Sequence, residues 1–241
     1  MKRFEPIVAA DVATEKEAIH LFDLLAGSQH QPIVKIGMEL FYAFGPDILR
    51  EAKKRGLQVF LDVKSYDIPN TVKRAMAEVG QLGVLFVTIH AAGGSAMMKA
   101  AMEGVKEGAA RGGNPLPHVL AITQLTSIDE KTLHEEQHID LSLLDSVKNY
   151  AELADKSGCD GVVCSAHEVP TIREVTGPDF LCITPGIRPH KIAGDDQKRV
   201  MTPRQAYQAG SNGIVVGRPI IQADDPLAAY NQIRSDFFGE E

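Results

Sequence analysis

Short runs of apolar and β-branched residues recur along the whole chain, separated by longer helix-like segments. The runs are Ile7 to Ala10, Ile33 to Ile36, Val59 to Val63, Val84 to Ile89, Val119 to Ile122, Gly161 to Cys164, Phe180 to Ile183 and Gly213 to Val216. They are continuous rather than alternating, which is typical of strands covered on both faces, and their alternation with helices indicates parallel order. Eight such units predict an α/β fold of the (β/α)8 TIM barrel class.

Helix-start signals support this count. Thr14, Ser127 and Ser165 are each followed three residues later by glutamate, which is the pattern of a capping box. Pro203 follows Thr202 at what is predicted to be a first helical position. The doubly wound alternative is disfavoured, because no GxGxxG turn follows an early strand.

Composition narrows the class of protein. The chain has 241 residues, of which 44% are hydrophobic, and has no Pro/Gly/Ser-rich linker, so residues 1–241 are expected to form a single barrel domain. A net charge of -7 argues against nucleic-acid binding through a general basic surface. No long apolar segment suggests a signal peptide or membrane span, so a cytoplasmic location is expected. Cys159, Cys164 and Cys182 lie in apolar runs without CxxC spacing and are predicted to be buried free thiols.

Charged residues stand where several predicted strands end, which is the functional face of this barrel type. Asp11 closes the first strand, and Lys35 lies in the second. Asp62 and Lys64 end the third strand and should point to the same side, because residues i and i+2 of a strand do so. Asp67 follows in the loop. The alternative is a structural ion pair at a sheet end.

A second set of residues favours phosphate. Gly217 and Arg218 offer a backbone amide and a guanidinium after the eighth strand, where barrels of this class often bind phosphate. Arg188 and Gln197, in the loop after the seventh strand, are candidates to complete the site. The polar stretch from 189 to 198 is interpreted as a lid. The alternative is a turn with a surface cation.

Charge arithmetic favours an acid role for Lys64. A carboxylate about 4 Å away is worth roughly 4 kcal/mol at an effective dielectric near 20, which favours the ammonium form. A lysine that forms a Schiff base must instead supply a neutral amine. The same ammonium would compete with magnesium for the oxygens of Asp62 and Asp67.

His134-Glu135-Glu136-Gln137-His138 matches the HExxH pattern of zinc hydrolases. Its neighbours are charged and polar, and it lies in a connection after the fifth strand without a clear third ligand. We interpret it as a chance match on a solvated helix.

The segment from Asp62 to Thr71, DVKSYDIPNT, resembles the signature of the orotidine 5'-phosphate decarboxylase family. Other matching positions follow in that family's order along nearly the whole chain: Asp11, Lys35, Thr126, Pro185 to Arg188, Gln197, and Gly217 with Arg218. The sequence departs from the signature at Val63, Ser65 and Tyr66, none of which is a charged position.

The resemblance implies a decarboxylation of orotidine 5'-phosphate to uridine 5'-phosphate and carbon dioxide in pyrimidine biosynthesis, without metal or cofactor. It implies that Lys64 protonates the carbon that loses the carboxylate, beside Asp62 and Lys35. The other implied contacts are Asp11 and Lys35 with the ribose, Thr126 with the pyrimidine, Gln197, Gly217 and Arg218 with the phosphate, and Pro185 and Arg188 within the substrate site. Asp67 and Thr71 are implied to reach the neighbouring subunit's site in a homodimer.

Two other functions stay open at this stage. One is a magnesium-dependent sugar-phosphate decarboxylase or lyase of a related barrel. The other is a barrel that binds a phosphate ligand without catalysis.

Overall fold

A computed structural model describes residues 1–189 and 200–240, and its centre is a closed barrel of eight parallel strands. Each strand pairs with its neighbours in chain order, and β8 closes the barrel against β1. The strands are β1 Ile7–Ala9, β2 Ile33–Gly37, β3 Gln58–Ser65, β4 Phe86–His90, β5 His118–Ile122, β6 Gly161–Val163, β7 Leu181–Thr184 and β8 Gly213–Val216. The predicted TIM barrel and all eight predicted strands are confirmed, although several strand ends differ.

Eleven α-helices lie within the described ranges and connect or follow the strands. They are α1 Glu15–Ala26, α2 Met38–Phe44, α3 Pro46–Lys54, α4 Pro69–Gln81, α5 Gly94–Gly112, α6 Glu130–Glu135, α7 Leu143–Lys156, α8 Val169–Arg173, α9 Pro203–Ala209, α10 Arg218–Ile221 and α11 Pro226–Phe238. The apolar faces of these helices and the outward-facing strand residues form one large core between sheet and helices.

Of the four predicted helix starts, three are confirmed and one is wrong. Thr14 and Thr202 each cap a helix through a complete capping box, with Pro203 in the first turn of α9. The Ser165 amide donates to the Glu168 carboxylate at 2.8 Å, at the start of the short helical turn that precedes α8. Ser127 does not cap α6. The Asp129 carboxylate accepts the Thr132 amide instead, because the helix begins two residues later than the capping-box pattern requires.

A second, smaller core fills the inside of the barrel. Its members are Phe4, Ile7, Ala9, Ile33, Phe60, Phe86, Leu120, Leu181, Ile183 and Val215. Phe4 precedes β1 and packs edge-on against Phe86, with ring centroids 4.8 Å apart. The amino-terminal end of the barrel is therefore filled with apolar side chains, and polar groups are left to the opposite end.

Helices α4 and α5 pack unusually closely through three glycines. A Cβ atom on Gly104 or Gly108 of α5 would overlap the carbonyl oxygen of Lys73 or Ala77 on α4. A Cβ atom on Gly80 of α4 would overlap the backbone of α5 in the same way. This glycine seam fixes the position of α4, the helix that follows the loop carrying Asp67.

Within the described ranges, none of the helices combines the length and the apolar character needed to cross a membrane.

Candidate active site

Strand β3 carries a bulge at its C-terminal end, where its charged residues lie. Leu61 pairs with Val87 and Ser65 pairs with Ile89, so β3 advances four residues while β4 advances two. Lys64 lies within this bulge with a φ of 51°. This left-handed conformation costs a non-glycine residue roughly 1–2 kcal/mol, and such strain is concentrated at functional sites.

Four charged side chains from three neighbouring strands meet above the barrel. Lys35 Nζ lies 3.0 Å from Asp11 Oδ1 and 3.7 Å from Asp62 Oδ2. Lys64 Nζ lies 2.9 Å from Asp62 Oδ1. Asp62 and Lys64 are therefore neighbours, as the sequence predicts, but the bulge and not regular strand alternation sets their geometry.

The charges in this cluster alternate in sign along the order Asp11, Lys35, Asp62, Lys64. The side chains of Lys35 and Asp62 are only 12% and 13% exposed. Each close pair is worth roughly 4 kcal/mol at an effective dielectric near 20, before the cost of desolvation. Alternation lets each charge face an opposite one, and Lys64, at the end of the series, lines the cavity at the barrel mouth.

An apolar cavity of about 160 Å³ opens beside Lys64. Its polar lining residues include Gln124 and Thr126 from the loop after β5. The remaining lining consists of Lys35, Phe60, Asp62, Ile122, Leu125, Val163, Cys164, Pro185 and Val215. An apolar cavity of about 150 Å³ accommodates benzene, so this one has room for a six-membered ring.

A more polar pocket of about 410 Å³ adjoins that cavity. The two share Lys35, Pro185 and Val215 as lining residues. Asp11, Arg188, Gly217 and Arg218 also line the polar pocket. Arg188 is largely buried and donates to the Ile187 carbonyl at 3.0 Å. Two guanidinium groups therefore border a pocket one step from the charged cluster, as a site for a phosphorylated ligand requires.

The structure does not bring Asp67 and Thr71 into either pocket. Asp67 is exposed, and its carboxylate accepts the backbone amide of Ile68 at 2.6 Å. Thr71 is exposed in the first turn of α4. Across the described residues Asp67 forms no ion pair with Lys64, so the three charges that lie close in sequence are separated within one chain.

Gln197 and most of the stretch predicted to be a lid lie outside the described residues. The structure therefore places Arg188, but not Gln197, beside the predicted phosphate residues Gly217 and Arg218.

His90 ends β4 next to the charged cluster. Burial, followed by the positive charge of Lys64, lowers the pKa of His90 below the ordinary value of 6.5, while the charge of Asp62 acts in the opposite direction. Its ring packs edge-on against Tyr66, with centroids 5.7 Å apart. The imidazole is therefore neutral at neutral pH and supports the loop that follows Lys64.

The HExxH match does not form a helical pair of histidines. Helix α6 ends at Glu135, and His138 has a φ of 56°, so the two imidazoles do not lie one helical turn apart. His134 Nε2 instead contacts the Leu141 carbonyl oxygen at 2.9 Å. Among the residues that the structure describes, no group of three or more His, Cys, Asp or Glu is arranged to hold a metal ion.

The three cysteines are buried free thiols, as predicted. Burial raises the pKa of Cys159 to about 12. A side-chain hydrogen bond with Cys182, and then burial, raises the pKa of Cys164. Cys164 lines the apolar cavity as a protonated, apolar group and not as a nucleophile.

A (β/α)8 barrel with a charged cluster and an arginine-lined pocket at the C-terminal ends of its strands has the architecture of barrel enzymes that act on phosphorylated substrates. Residues 5–233 match the orotidine 5'-phosphate decarboxylase / HUMPS family, and the chain belongs to this family.

Proteins of known name support this membership. The chain is 50% identical over 237 residues to orotidine 5'-phosphate decarboxylase of Streptococcus thermophilus, an alignment that covers 98% of this chain and 99% of the relative. It is 54% identical over 204 residues to the protein of the same name from Latilactobacillus sakei, with 85% of each chain covered. The crystal structure of orotidine 5'-phosphate decarboxylase from Lactobacillus acidophilus superposes with a TM-score of 0.87 at 42% identity, covering 97% of this chain and 98% of that one.

Proposed function

We propose that this protein decarboxylates orotidine 5'-phosphate to uridine 5'-phosphate and carbon dioxide in pyrimidine biosynthesis. One observation carries the proposal: Lys64, held by Asp62, lies at an apolar cavity that adjoins an arginine-lined pocket. Identity near 50% to decarboxylases over most of the chain supports the same activity. It disfavours the magnesium-dependent alternative, since those relatives are named for the decarboxylase.

The two pockets suggest how the substrate binds. The pyrimidine ring would occupy the apolar cavity, where Thr126 and Pro185 border it. The phosphate would occupy the polar pocket, held by Gly217, Arg218 and Arg188. Asp11 and Lys35 line the junction and would bind the ribose hydroxyls. This arrangement places the ring beside Lys64.

The reaction then needs only a proton donor and a stabilising charge. The bond between C6 of the ring and the carboxylate carbon breaks, carbon dioxide leaves, and the electron pair stays on C6. The Lys64 ammonium stabilises this developing carbanion and transfers a proton to C6, and the resulting amine regains a proton from solvent. Because the charge of Lys64 meets a charge that grows during the reaction, this contact lowers the barrier and not merely the energy of the bound substrate.

Asp62 has two roles in this scheme. It orients Lys64 through the 2.9 Å ion pair, and it lies where the substrate carboxylate would approach. Repulsion between the two carboxylates would disfavour the bound ground state. We assign the larger effect to Lys64, because an oriented charge opposite a developing charge stabilises the transition state directly.

The proposed mechanism uses neither a metal nor an organic cofactor. No electrons pass to an acceptor, and the leaving carbon dioxide is already at its final oxidation state. Lys35 and Lys64 both contact Asp62, so a divalent cation would have to displace an ammonium group to reach that carboxylate.

We further propose that the protein acts as a homodimer with shared sites, in which Asp67 and Thr71 of one subunit complete the site of the other. Three large apolar side chains near the Asp67 loop are exposed: Tyr42, Tyr66 and Ile68 are 72%, 62% and 67% exposed. Tyr42 and Tyr66 line one groove, and Ile68 follows Asp67 in the chain. Such a patch next to an active-site loop supports a protein interface. The proposed location is the cytoplasm, where free thiols stay reduced.

The decisive test follows the loss of orotidine 5'-phosphate absorbance in the presence of excess EDTA. The proposal expects full turnover in chelator, with uridine 5'-phosphate and carbon dioxide formed in equal amounts. Lys64→Ala, purified identically, controls for decarboxylase carried over from the expression host. Activity that disappears in EDTA and returns with magnesium would support the lyase alternative. Binding of uridine 5'-phosphate without turnover would support a non-catalytic barrel.

A further inference from the structure

Thr88 lies in the middle of β4, beneath the charged cluster, and is completely buried. Its hydroxyl makes two hydrogen bonds to the residues on which the proposed reaction depends. Oγ1 donates to Asp62 Oδ1 at 2.9 Å, and the backbone amide of Lys64 donates to Oγ1 at 2.9 Å. One side chain therefore contacts both the carboxylate and the backbone of the ion pair.

These two bonds match what a hydroxyl offers. A threonine hydroxyl has one proton to donate and lone pairs that accept, so here the donor goes to the carboxylate and the acceptor takes the amide. The directions are fixed, because an ionised carboxylate only accepts and an amide only donates. Thr88 is thus matched to a charged Asp62 and to Lys64 in the bulged backbone.

The bulge explains why Lys64 needs such a partner. The ladder between β3 and β4 skips from the pair Leu61 and Val87 to the pair Ser65 and Ile89. Lys64 falls within this gap, and a buried amide left without an acceptor is strongly unfavourable. Thr88 lies at the same gap on β4 and supplies the acceptor from its side chain.

We infer that Thr88 is a positioning residue for the decarboxylation, holding Asp62 and the strained Lys64 backbone in register with each other. The inference rests on the proposed function. Asp62 Oδ1 is held by two donors, Lys64 Nζ and Thr88 Oγ1, while Oδ2 faces Lys35 at 3.7 Å. The carboxylate plane, and with it the direction of the Lys64 ammonium, is fixed through a residue that does not line the cavity.

The alternation of side chains along β4 could have indicated from the sequence that Thr88 faces the inside of the barrel. Phe86 and Thr88 share one side of β4, and Phe86 belongs to the inner core. A polar residue two positions beyond an inward-facing phenylalanine points into the barrel and toward its functional end.

The test compares Thr88→Val, which keeps the shape and loses the hydroxyl, with Thr88→Ser, which keeps the hydroxyl. Thr88→Val should lower kcat by about 100-fold, the order of loss that a misplacement near 1 Å produces, while KM stays within a few-fold. Thr88→Ser should recover most of the loss. A role confined to packing predicts the opposite ranking, because valine preserves the packing volume.

Thr184→Val is the matched control. Thr184 is also completely buried, and its hydroxyl bonds to Ser211 Oγ at 3.0 Å, away from the charged cluster. Thr184→Val should reduce thermal stability about as much as Thr88→Val does, but it should leave kcat unchanged. Wild-type kcat in Thr88→Val, or equal losses in Thr88→Val and Thr88→Ser, would overturn the inference.

Hydrogen exchange of the Lys64 amide gives a reading that does not depend on activity. In the wild-type protein this amide should be protected, and Thr88→Val should lose that protection. Rapid exchange in the wild-type protein would contradict the inference even if Thr88→Val fails to fold. An inactive wild-type protein with a protected Lys64 amide would instead refute the proposed function and leave the hydrogen bond standing.

Discussion

The Lys64 ammonium lies 2.9 Å from Asp62 Oδ1, although the backbone between the two residues leaves regular strand geometry. The contact depends on a bulge and on a left-handed φ of 51° at Lys64. The strained backbone and the ion pair therefore belong to the same residue. Substitutions that remove the charge, and of which only one relaxes the backbone, can measure the two effects separately.

Lys64→Gly and Lys64→Ala both remove the charge, but only glycine relaxes the backbone. Both variants should lose essentially all decarboxylation and keep the fold, because Lys64 is the proposed proton donor. Lys64→Gly should be more stable than Lys64→Ala by about 1 kcal/mol, measured by urea unfolding. At Lys35, within regular strand β2, the order should reverse, with glycine less stable by roughly 0.5–1 kcal/mol.

A higher stability of Lys64→Ala than of Lys64→Gly would show that the left-handed backbone carries no strain. Substantial turnover by either variant, in protein free of host enzyme, would remove Lys64 as proton donor.

Arg218→Ala should weaken substrate binding and slow turnover together. The guanidinium borders the polar pocket, and a hydrogen bond to a charged group is worth about 1.5–3 kcal/mol, so kcat/KM should fall at least about tenfold. Steady-state kinetics measure the change. Arg204→Ala, an exposed arginine on α9 beside Tyr207, is the matched control and should leave kcat/KM unchanged. An unaltered kcat/KM in Arg218→Ala would exclude it from the phosphate site.

A shared site predicts complementation between two inactive variants. Lys64→Ala and Asp67→Asn should each be inactive alone. When they are co-expressed with different tags, one of the two sites in each mixed dimer is intact, so random pairing should recover about one quarter of wild-type activity. Recovery of no activity in purified mixed dimers would place Asp67 in the same site as the Lys64 of its own chain. Wild-type activity of Asp67→Asn alone would place Asp67 in no site.

His90 should make stability sensitive to acid. Its pKa is lowered from 6.5 by burial and then by Lys64, so below that pH the unfolded chain binds a proton that the folded protein excludes. Stability should therefore fall as the pH decreases from about 6.5 toward the lowered pKa. His90→Gln should remove this part of the slope, measured by urea unfolding from pH 8 to pH 5. An unchanged slope in the variant would mean that His90 titrates alike in both states.

Much of the fold could be predicted from the sequence, because strands buried on both faces produce continuous apolar runs. Each of the eight runs lies at a barrel strand. The geometry of Lys64 could not be predicted in the same way. A bulge depends on how β3 pairs with β4, and no residue type near Lys64 indicates that the register between these two strands changes there.

The sequence predicted the positions of the site residues that lie on strands better than the position of Asp67, which lies in a loop. Lys35, Asp62 and Lys64 converge because strand ends of a barrel share one rim. Asp67 lies beyond the strand in a loop, where sequence proximity to Lys64 gives no information about direction. The roles of all these residues, and the single-domain organisation, stay predictions for the experiments above.

The glycine seam between α4 and α5 limits how this protein can be redesigned. Any side chain at Gly80, Gly104 or Gly108 would push α4 away from its neighbour. Because α4 begins two residues after Asp67, that displacement would reach the loop facing the proposed partner site. A library aimed at new substrates should keep these three glycines fixed, since changes far from any ligand would otherwise be mistaken for effects on specificity.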